Sequence, residues 1–378
     1  MSWNSIIAQE RIKKILQRAF VENKISSAYL FVGNDGVGKD AVAIEFAMLL
    51  NCPDPIINGN SAEISESFQA KYSENIFNHP NISLLTALPV GKSSDKKSSS
   101  SIDSLSKDQI DKIQSEISLK AQDPYHRIDI PDARQIRISQ IREIKNKLKL
   151  SKSVPGRTVV IVSNAHLMTT EASNAFLKTI EEPHPNTTII LTTNNLELIL
   201  QTIRSRCQII KFPPIPDDEL ISYLSENGVD ESNSRLIIPF ANGSISTAND
   251  FLDENMNELR NLVLEMLRSS MKKNVYRLEL TDLVRSLTSS KEKKLIENAI
   301  QILTIWLNDA MKVSLGVNKI VNLDQLDTIK KFVEHFSNGN FSNAIELCQK
   351  SIYELKSNVN PNLVLIALFT NLRKEFLK

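Results

Sequence analysis

The chain is poor in most of what would assign it quickly. Its three cysteines, Cys52, Cys207 and Cys348, lie far apart and form no CxxC pair, which excludes a disulfide framework and a four-cysteine zinc site. Its five histidines are scattered, with none four residues from another, so no metal-ligand spacing is present. Ten glycines and 6 % aromatics in 378 residues argue against a propeller or a large β-sandwich. No run approaches the roughly 18 uninterrupted apolar residues of a membrane span. Met1-Ser2-Trp3-Asn4 is not a basic segment leading into an apolar run, so no secretory leader is expected and the expected compartment is the cytosol. Charge of one sign is also missing. Lys and Arg number 45 against 44 Asp and Glu, a net charge of +1, which excludes a global attraction to nucleic acid but not a local basic face.

What remains is an ordinary globular composition, 41 % apolar and 24 % charged, with length for two or three domains. Ile12, Ile15, Leu16 and Phe20 recur at helical spacing. Ala28 to Val32 is a short apolar run of the kind that forms a buried parallel strand. Glycine-rich Gly33 to Lys39 follows, and Ala41 to Leu50 suits a helix. From 53 to about 130 the pattern is less regular. Serine fills 8 of the 16 positions from Gly91 to Ser106, and so polar a stretch reads as a mobile insertion, with helical spacing resuming around Ile110 to Leu119. Ile138, Ile141, Ile144 and Leu148 mark an amphipathic helix over 134–150. Two more buried strands, Thr158 to Val162 and Thr187 to Leu191, flank a helix over Thr170 to Glu182 that stops at Pro183. Strands alternating with helices predict a parallel sheet covered on both faces. After Phe212-Pro213-Pro214 the segments are short and helical to about Asp253, with a turn at Ala241-Asn242-Gly243. The stripe Ile296, Ala299, Ile300, Leu303, Leu307 and a second over Asn362 to Leu377 predict an all-helical C-terminal third.

One motif carries chemistry. Gly33-Asn34-Asp35-Gly36-Val37-Gly38-Lys39-Asp40 nearly fits the P-loop pattern GxxxxGK[ST], with a strand before it and a helix after. Gly33, Gly36 and Gly38 let backbone N–H groups turn toward phosphate oxygens, the helix N-terminus adds a favourable dipole, and Lys39 adds charge. Asp40 breaks the pattern, which demands Ser or Thr there as a magnesium ligand. A carboxylate beside a triphosphate is repelled by roughly 4 kcal/mol at about 4 Å and an effective dielectric of about 20; alternatively Asp40 binds the metal itself. P-loop ATPases also close the second strand with acidic residues that hold magnesium and polarise water. Here Ser163 and Asn164 take those positions. His166, beside that strand end, reads as structural.

A second feature is electrostatic. Between Arg134 and Arg157 stand eight basic residues (Arg134, Arg137, Arg142, Lys145, Lys147, Lys149, Lys152, Arg157) against one acid, Glu143. No aromatic interleaves, so base stacking is not indicated, and a solvated helix face is the plain alternative to a phosphate-tracking one.

Read together, Ile6-Ile7-Ala8-Gln9, Ala28-Tyr29-Leu30-Phe31, the near P-loop, Asn174-Ala175-Phe176-Leu177-Lys178-Thr179-Ile180-Glu181-Glu182-Pro183 and Ile203-Arg204-Ser205-Arg206-Cys207 resemble the bacterial clamp loaders of the AAA+ superfamily. The similarity is strong over 1–52 and 134–212 and weaker beyond, where Asn360-Pro361-Asn362-Leu363 is similar to the collar of that family. Its motor subunits keep Lys-Ser/Thr, Asp-Glu and an arginine in a Gly-Ser-Leu-Arg lid segment; its delta-prime type tends to lose them while keeping Ser-Arg-Cys. Asp40, the Ser163/Asn164 pair and Gly243-Ser244-Ile245-Ser246 match the second type.

The resemblance implies a P-loop AAA+ domain over 1–212 with a polar insertion at about 53–130, a helical lid over 213–253 and a helical collar over 254–378. It implies an accessory subunit of the DNA polymerase III holoenzyme, with no polymerisation chemistry and no independent hydrolysis. Such a subunit supplies Arg206 in trans to a neighbour's γ-phosphate, beside other loader subunits, the sliding clamp and primer–template DNA tracked by Arg142, Lys145 and Lys149. ATP binding at Gly33, Gly36, Gly38, Lys39 and Asp40 stays open. Many bacterial relatives carry a four-cysteine zinc module after the P-loop helix; Cys52 stands alone, so no zinc and no other metal is expected. Cys207 reads as a small buried residue. The rival readings are an ATP-hydrolysing motor subunit of the same loader and a small-molecule P-loop kinase.

Overall fold

In the computed structural model the residues described are 3–72, 74–90, 105–149, 155–252, 256–273, 276–289, 293–317, 320–357 and 359–377. They form two compact units, Met1–Tyr223 with Ala241–Thr247, and Leu224–Phe240 with Ala248–Lys378.

The first unit opens with α1 (Glu10–Val21), β1 (Ala28–Val32) and α2 (Lys39–Leu49). A hairpin of β2 (Ile56–Asn58) and β3 (Ser61–Glu63) follows, then α3 (Glu66–Lys71), β4 (Ile82–Leu85) and α4 (Lys107–Gln122). Next come α5 (Ile138–Lys149), β5 (Thr158–Val162), α6 (Thr170–Glu181), β6 (Thr187–Thr193), α7 (Gln201–Arg204) and β7 (Gln208–Lys211). Five strands pair in parallel in the order β4-β5-β6-β1-β7. Registers such as Val160↔Ile189 and Leu30↔Ile209 align their ends.

Alternation along each strand sends successive side chains to opposite faces. Leu30, Val160, Val162, Ile189 and Leu191 join Ile141, Ile144 and Leu148 of α5 and Phe176 and Ile180 of α6 in one core. Tyr29 faces the other way, its ring edge-on to Phe46 of α2 at 5.7 Å. The three expected strands are present, and β1, β5 and β6 are almost wholly buried, as central parallel strands should be.

The helix expected around Ile110 to Leu119 is present as α4, and the insertion at about 53–130 also holds the β2–β3 hairpin, α3 and the sheet's edge strand β4, which the sequence pattern did not signal. Its serine-rich part, 91–104, on which the mobile reading rests, lies outside the described residues, as does residue 73. Its four-residue Ile-Ser-Leu-Leu strand is too short and too mixed to signal a sheet member from sequence. Ser205-Arg206-Cys207 lies between α7 and a fifth strand, β7, that the apolar-run pattern did not signal. That strand, Gln208-Ile209-Ile210-Lys211, is short and mostly exposed because it is the far edge, with only Ile210 buried.

Three helices follow β7: α8 (Asp217–Glu226), α9 (Glu231–Ala241) and α10 (Ile245–Leu252). Asn242 and Gly243 turn the chain between the last two with positive φ. The rest of the described second unit is helical: α11 (Met256–Met271), α12 (Tyr276–Thr288), α13 (Lys293–Ser314), α14 (Leu326–His335), α15 (Phe341–Lys356) and α16 (Pro361–Phe376). The predicted stripe lies on α13, where Trp306 is buried and stacks edge-on against Phe332 at 5.0 Å. Asn360-Pro361 begins α16 for a local reason. Asn360 caps it by accepting from Asn362 N, and Pro361 takes the first turn, where its missing N–H costs nothing. The expected P-loop α/β domain and all-helical C-terminal region are both present.

Candidate functional site

The near P-loop lies where β1 hands over to α2. Gly36 and Gly38 have φ of +71° and +96°, conformations that favour glycine. A Cβ on Gly36 would sit 2.8 Å from Ser246 N, and one on Gly38 would sit 3.3 Å from Tyr125 Oη. The loop is therefore closely roofed. Ile245 N donates to Gly36 O at 3.0 Å, Ser246 Oγ to Tyr125 O at 2.6 Å, and Ile7 N to Tyr125 Oη at 3.0 Å. The segment Gly243 to Ser246 thus touches the loop directly, with Ser246 where the motor pattern places arginine.

Beneath this roof lies a cavity of about 300 Å³ bounded by Asp35, Lys39, Lys120, Arg127, His166 and Thr192 among others. Lys39 is buried and donates to Gly33 O at 2.8 Å and Asn34 O at 2.6 Å, with the Asp35 carboxylate 3.8 Å away. Burial draws its pKa below the ordinary lysine value, against the pull of Asp40 and Asp35. Burial likewise lowers the pKa of His166, whose Nδ1 is 3.2 Å from Thr193 Oγ1, which fits the structural reading of that residue.

Asp40 is the centre of the site. One carboxylate oxygen accepts from Thr192 Oγ1 at 2.8 Å; the other accepts from Ser163 Oγ at 3.0 Å and faces Lys120 Nζ at 3.0 Å. Burial favours the neutral acid, but the charge of Lys120, hydrogen bonds from Thr192 and Lys120, and the charge of Lys39 outweigh it and hold the carboxyl below its usual range. Lys120, from the end of α4, also donates to Pro124 O at 2.7 Å and His126 O at 2.8 Å.

The pattern implies a nucleotide with magnesium. A phosphate group suits the cationic lining. A divalent metal does not suit the donor set. The carboxylate at position 40 is already neutralised by an ammonium group, Ser163 points its hydroxyl at that carboxylate, and Asn164 is no acid. The alternative of Asp40 as a direct metal ligand therefore fails. Among the described residues no group of three or more His, Cys, Asp or Glu is placed to hold a metal ion.

Arg206 lies elsewhere. It stands two residues before the strand pair Tyr29↔Gln208, whereas the P-loop follows the pair Val32↔Lys211. It thus stands at the opposite end of the sheet from its own chain's P-loop, about 13 Å of strand away. Its guanidinium is anchored: Nε to a Glu181 oxygen at 2.9 Å, and one terminal nitrogen to Thr202 O at 3.0 Å and Ser205 Oγ at 3.3 Å. Glu181 ends α6, so the Glu-Glu-Pro run and Ser-Arg-Cys meet in space. The side chain stays 40 % exposed. Cys207 is only half-buried, yet packs at the edge of the sheet–helix core with its thiol pushed up to about 12 by burial, consistent with packing rather than nucleophilic use.

The basic segment is less uniform than its charge count. Arg137, Lys145, Lys147 and Arg157 hydrogen-bond to Leu88 O, Ala175 O, Ser83 Oγ and Thr188 Oγ1. Lys152 lies outside the described residues. Arg142 and Lys149 are exposed on α5. The sequence did not single out Lys120, Tyr125, Arg127 or Glu181. The first three lie within the insertion, which carries no motif, and Glu181 was visible only as part of a family pattern.

Two family models match. One, described as DNA polymerase III, delta subunit, covers residues 8–130 and 123–216. The other, described as DNA polymerase III, delta subunit, C terminal, covers 255–374. The chain belongs to the DNA polymerase III delta subunit family. DNA polymerase III subunit delta' of Bacillus subtilis (strain 168) is 24 % identical over 362 residues, 95 % of each chain. Subunit gamma of Buchnera aphidicola subsp. Schizaphis graminum (strain Sg) is 26 % identical over 373 residues, 92 % of this chain and 88 % of that one. Subunit tau of B. subtilis is 24 % identical over 387 residues, 96 % of this chain and 59 % of tau. The chain is thus a clamp-loader subunit of DNA polymerase III. Names of both the accessory and the motor type stand among its relatives. No helix among the described residues is long and apolar enough to cross a membrane.

Proposed function

We propose that the chain is the delta-prime-type, non-hydrolysing member of the loader, and that it donates Arg206 to the nucleotide site of a neighbouring motor subunit. The observation that carries this reading is the position of Arg206. An exposed, anchored guanidinium at the sheet end opposite its own P-loop serves no phosphate in its own chain. A fixed cation presented to a neighbour's γ-phosphate stabilises charge that develops in the transition state, an effect of roughly 10³–10⁵ in rate. Arginine suits the task because its fork is always charged and matches phosphate oxygens. The degenerate P-loop supports the other half of the reading. With Asp40 paired to Lys120, and Ser163 and Asn164 in the acidic positions, no carboxylate stands where a P-loop ATPase places the one that polarises water. Loading the sliding clamp onto primed DNA is then the work of the assembly, with exposed Arg142 and Lys149 contributing to the DNA-facing charge.

The test is ATPase activity of the reconstituted loader with Arg206→Ala in this subunit. DNA-stimulated turnover should fall by the share of the interface that Arg206 serves. Arg206→Lys should restore little of it, because a point charge lacks the planar fork. An unchanged rate with Arg206→Ala would remove the reading.

A further inference from the structure

The departure of Asp40 from the P-loop pattern looks like a simple loss until its partner is seen. A Ser or Thr hydroxyl at this place is a neutral ligand suited to a doubly charged metal. It cannot neutralise a buried ammonium group; a carboxylate can. The chain has both changes together, aspartate on α2 and Lys120 brought by α4 to 3.0 Å from it. Both side chains are largely withdrawn from water, at 6 % and 18 % exposure.

The bonding of Lys120 is also complete, and that of Asp40 nearly so. The three N–H bonds of Lys120 have three acceptors, Asp40, Pro124 O and His126 O. The carboxylate takes donors from Thr192 on β6, Ser163 at the end of β5 and Lys120 on α4. One carboxylate therefore ties the P-loop helix to two strands and to the segment that carries Tyr125, His126 and Arg127. Lys120 has no N–H to spare, three of the carboxylate's roughly four acceptor sites are taken, and the ammonium charge beside it opposes a cation.

We propose that the Lys120 ammonium is this chain's built-in replacement for the divalent cation of a P-loop site. The pocket excludes magnesium and is held shut at that point by the Lys120–Asp40 pair. Any phosphate-bearing ligand that enters does so without a metal. This deepens the reading of a non-hydrolysing subunit at the same pocket.

The experiment uses the full chain, with manganese as the probe and thermal unfolding as a second readout. Wild type should show no saturable manganese binding below the millimolar range, and ADP should shift its Tm equally in EDTA and in magnesium. Lys120→Met leaves a buried carboxylate unpaired and should lower Tm by about 10 °C. Asp40→Asn should also lower it, and the double variant should lose clearly less than the sum of the two. Sub-millimolar manganese binding by wild type that Asp40→Asn abolishes would overturn the proposal, as would additive losses. Either failure leaves the trans role of Arg206 standing, since loader ATPase measures that role separately.

Discussion

At the scale of single residues, burial decides chemistry. Glu45 on α2 is 1 % exposed and its carboxyl is poorly hydrogen-bonded, with the Trp3 backbone offsetting its burial only in part. Burial raises its pKa from 4.5 to about 7. The unfolded chain releases this proton near 4.5 and the folded chain near 7, so between those values the folded state binds more protons. The contribution of Glu45 to stability is therefore greatest below about pH 4.5 and declines by about 3 kcal/mol as pH rises to 7. Glu45→Gln should flatten that slope and be the more stable form at pH 8. Urea unfolding of both proteins at pH 5 and pH 8 measures it, and parallel slopes would show that Glu45 does not titrate in this window. Legibility at this scale was uneven. Lys39, Asp40 and Arg206 stand in motifs and were readable. Lys120 and Glu181 act through spatial neighbours distant in sequence, and nothing local marks them.

At the scale of elements, periodicity was informative wherever an element is either fully buried or strongly two-faced. β1, β5 and β6 are continuous apolar runs because helices cover both their faces. α5 and α6 alternate because one side of each packs on the sheet. Edge strands β4 and β7 are short and mixed, so the same reasoning passed over them. The roofed P-loop was also unreadable, because its cover comes from three separate segments around Ile7, Tyr125 and Ile245. α6 packs its buried side into the core on one face of the sheet. Phe176 is fully buried there among Leu30, Val160 and Leu191, so Phe176→Ala should cost about 3–5 kcal/mol by leaving a cavity. Chemical denaturation of the whole chain checks this, and a loss below about 1 kcal/mol would mean that the site collapses around the smaller side chain.

At the scale of the whole molecule, a nearly neutral chain concentrates one sign of charge on one helix and one cation at one sheet end. If exposed Arg142 and Lys149 face primed DNA in the assembled loader, reversing both to Glu should weaken DNA binding. The slope of log affinity against log salt should then drop by about one for each phosphate that is no longer neutralised. An unchanged slope, measured by fluorescence anisotropy across a salt series, would return α5 to an ordinary solvated face. The separation of the two sites bears most on function: the P-loop end holds an internal ion pair, and the far end presents Arg206. The most direct measurement is phosphate release from ATP and magnesium by the purified chain alone, then by the loader reassembled with wild-type or Arg206→Ala subunit. The account predicts no turnover by the chain alone and a clear loss in the Arg206→Ala loader. Turnover by the chain alone, with an Arg206→Ala loader as fast as wild type, would make it a motor subunit and contradict the account.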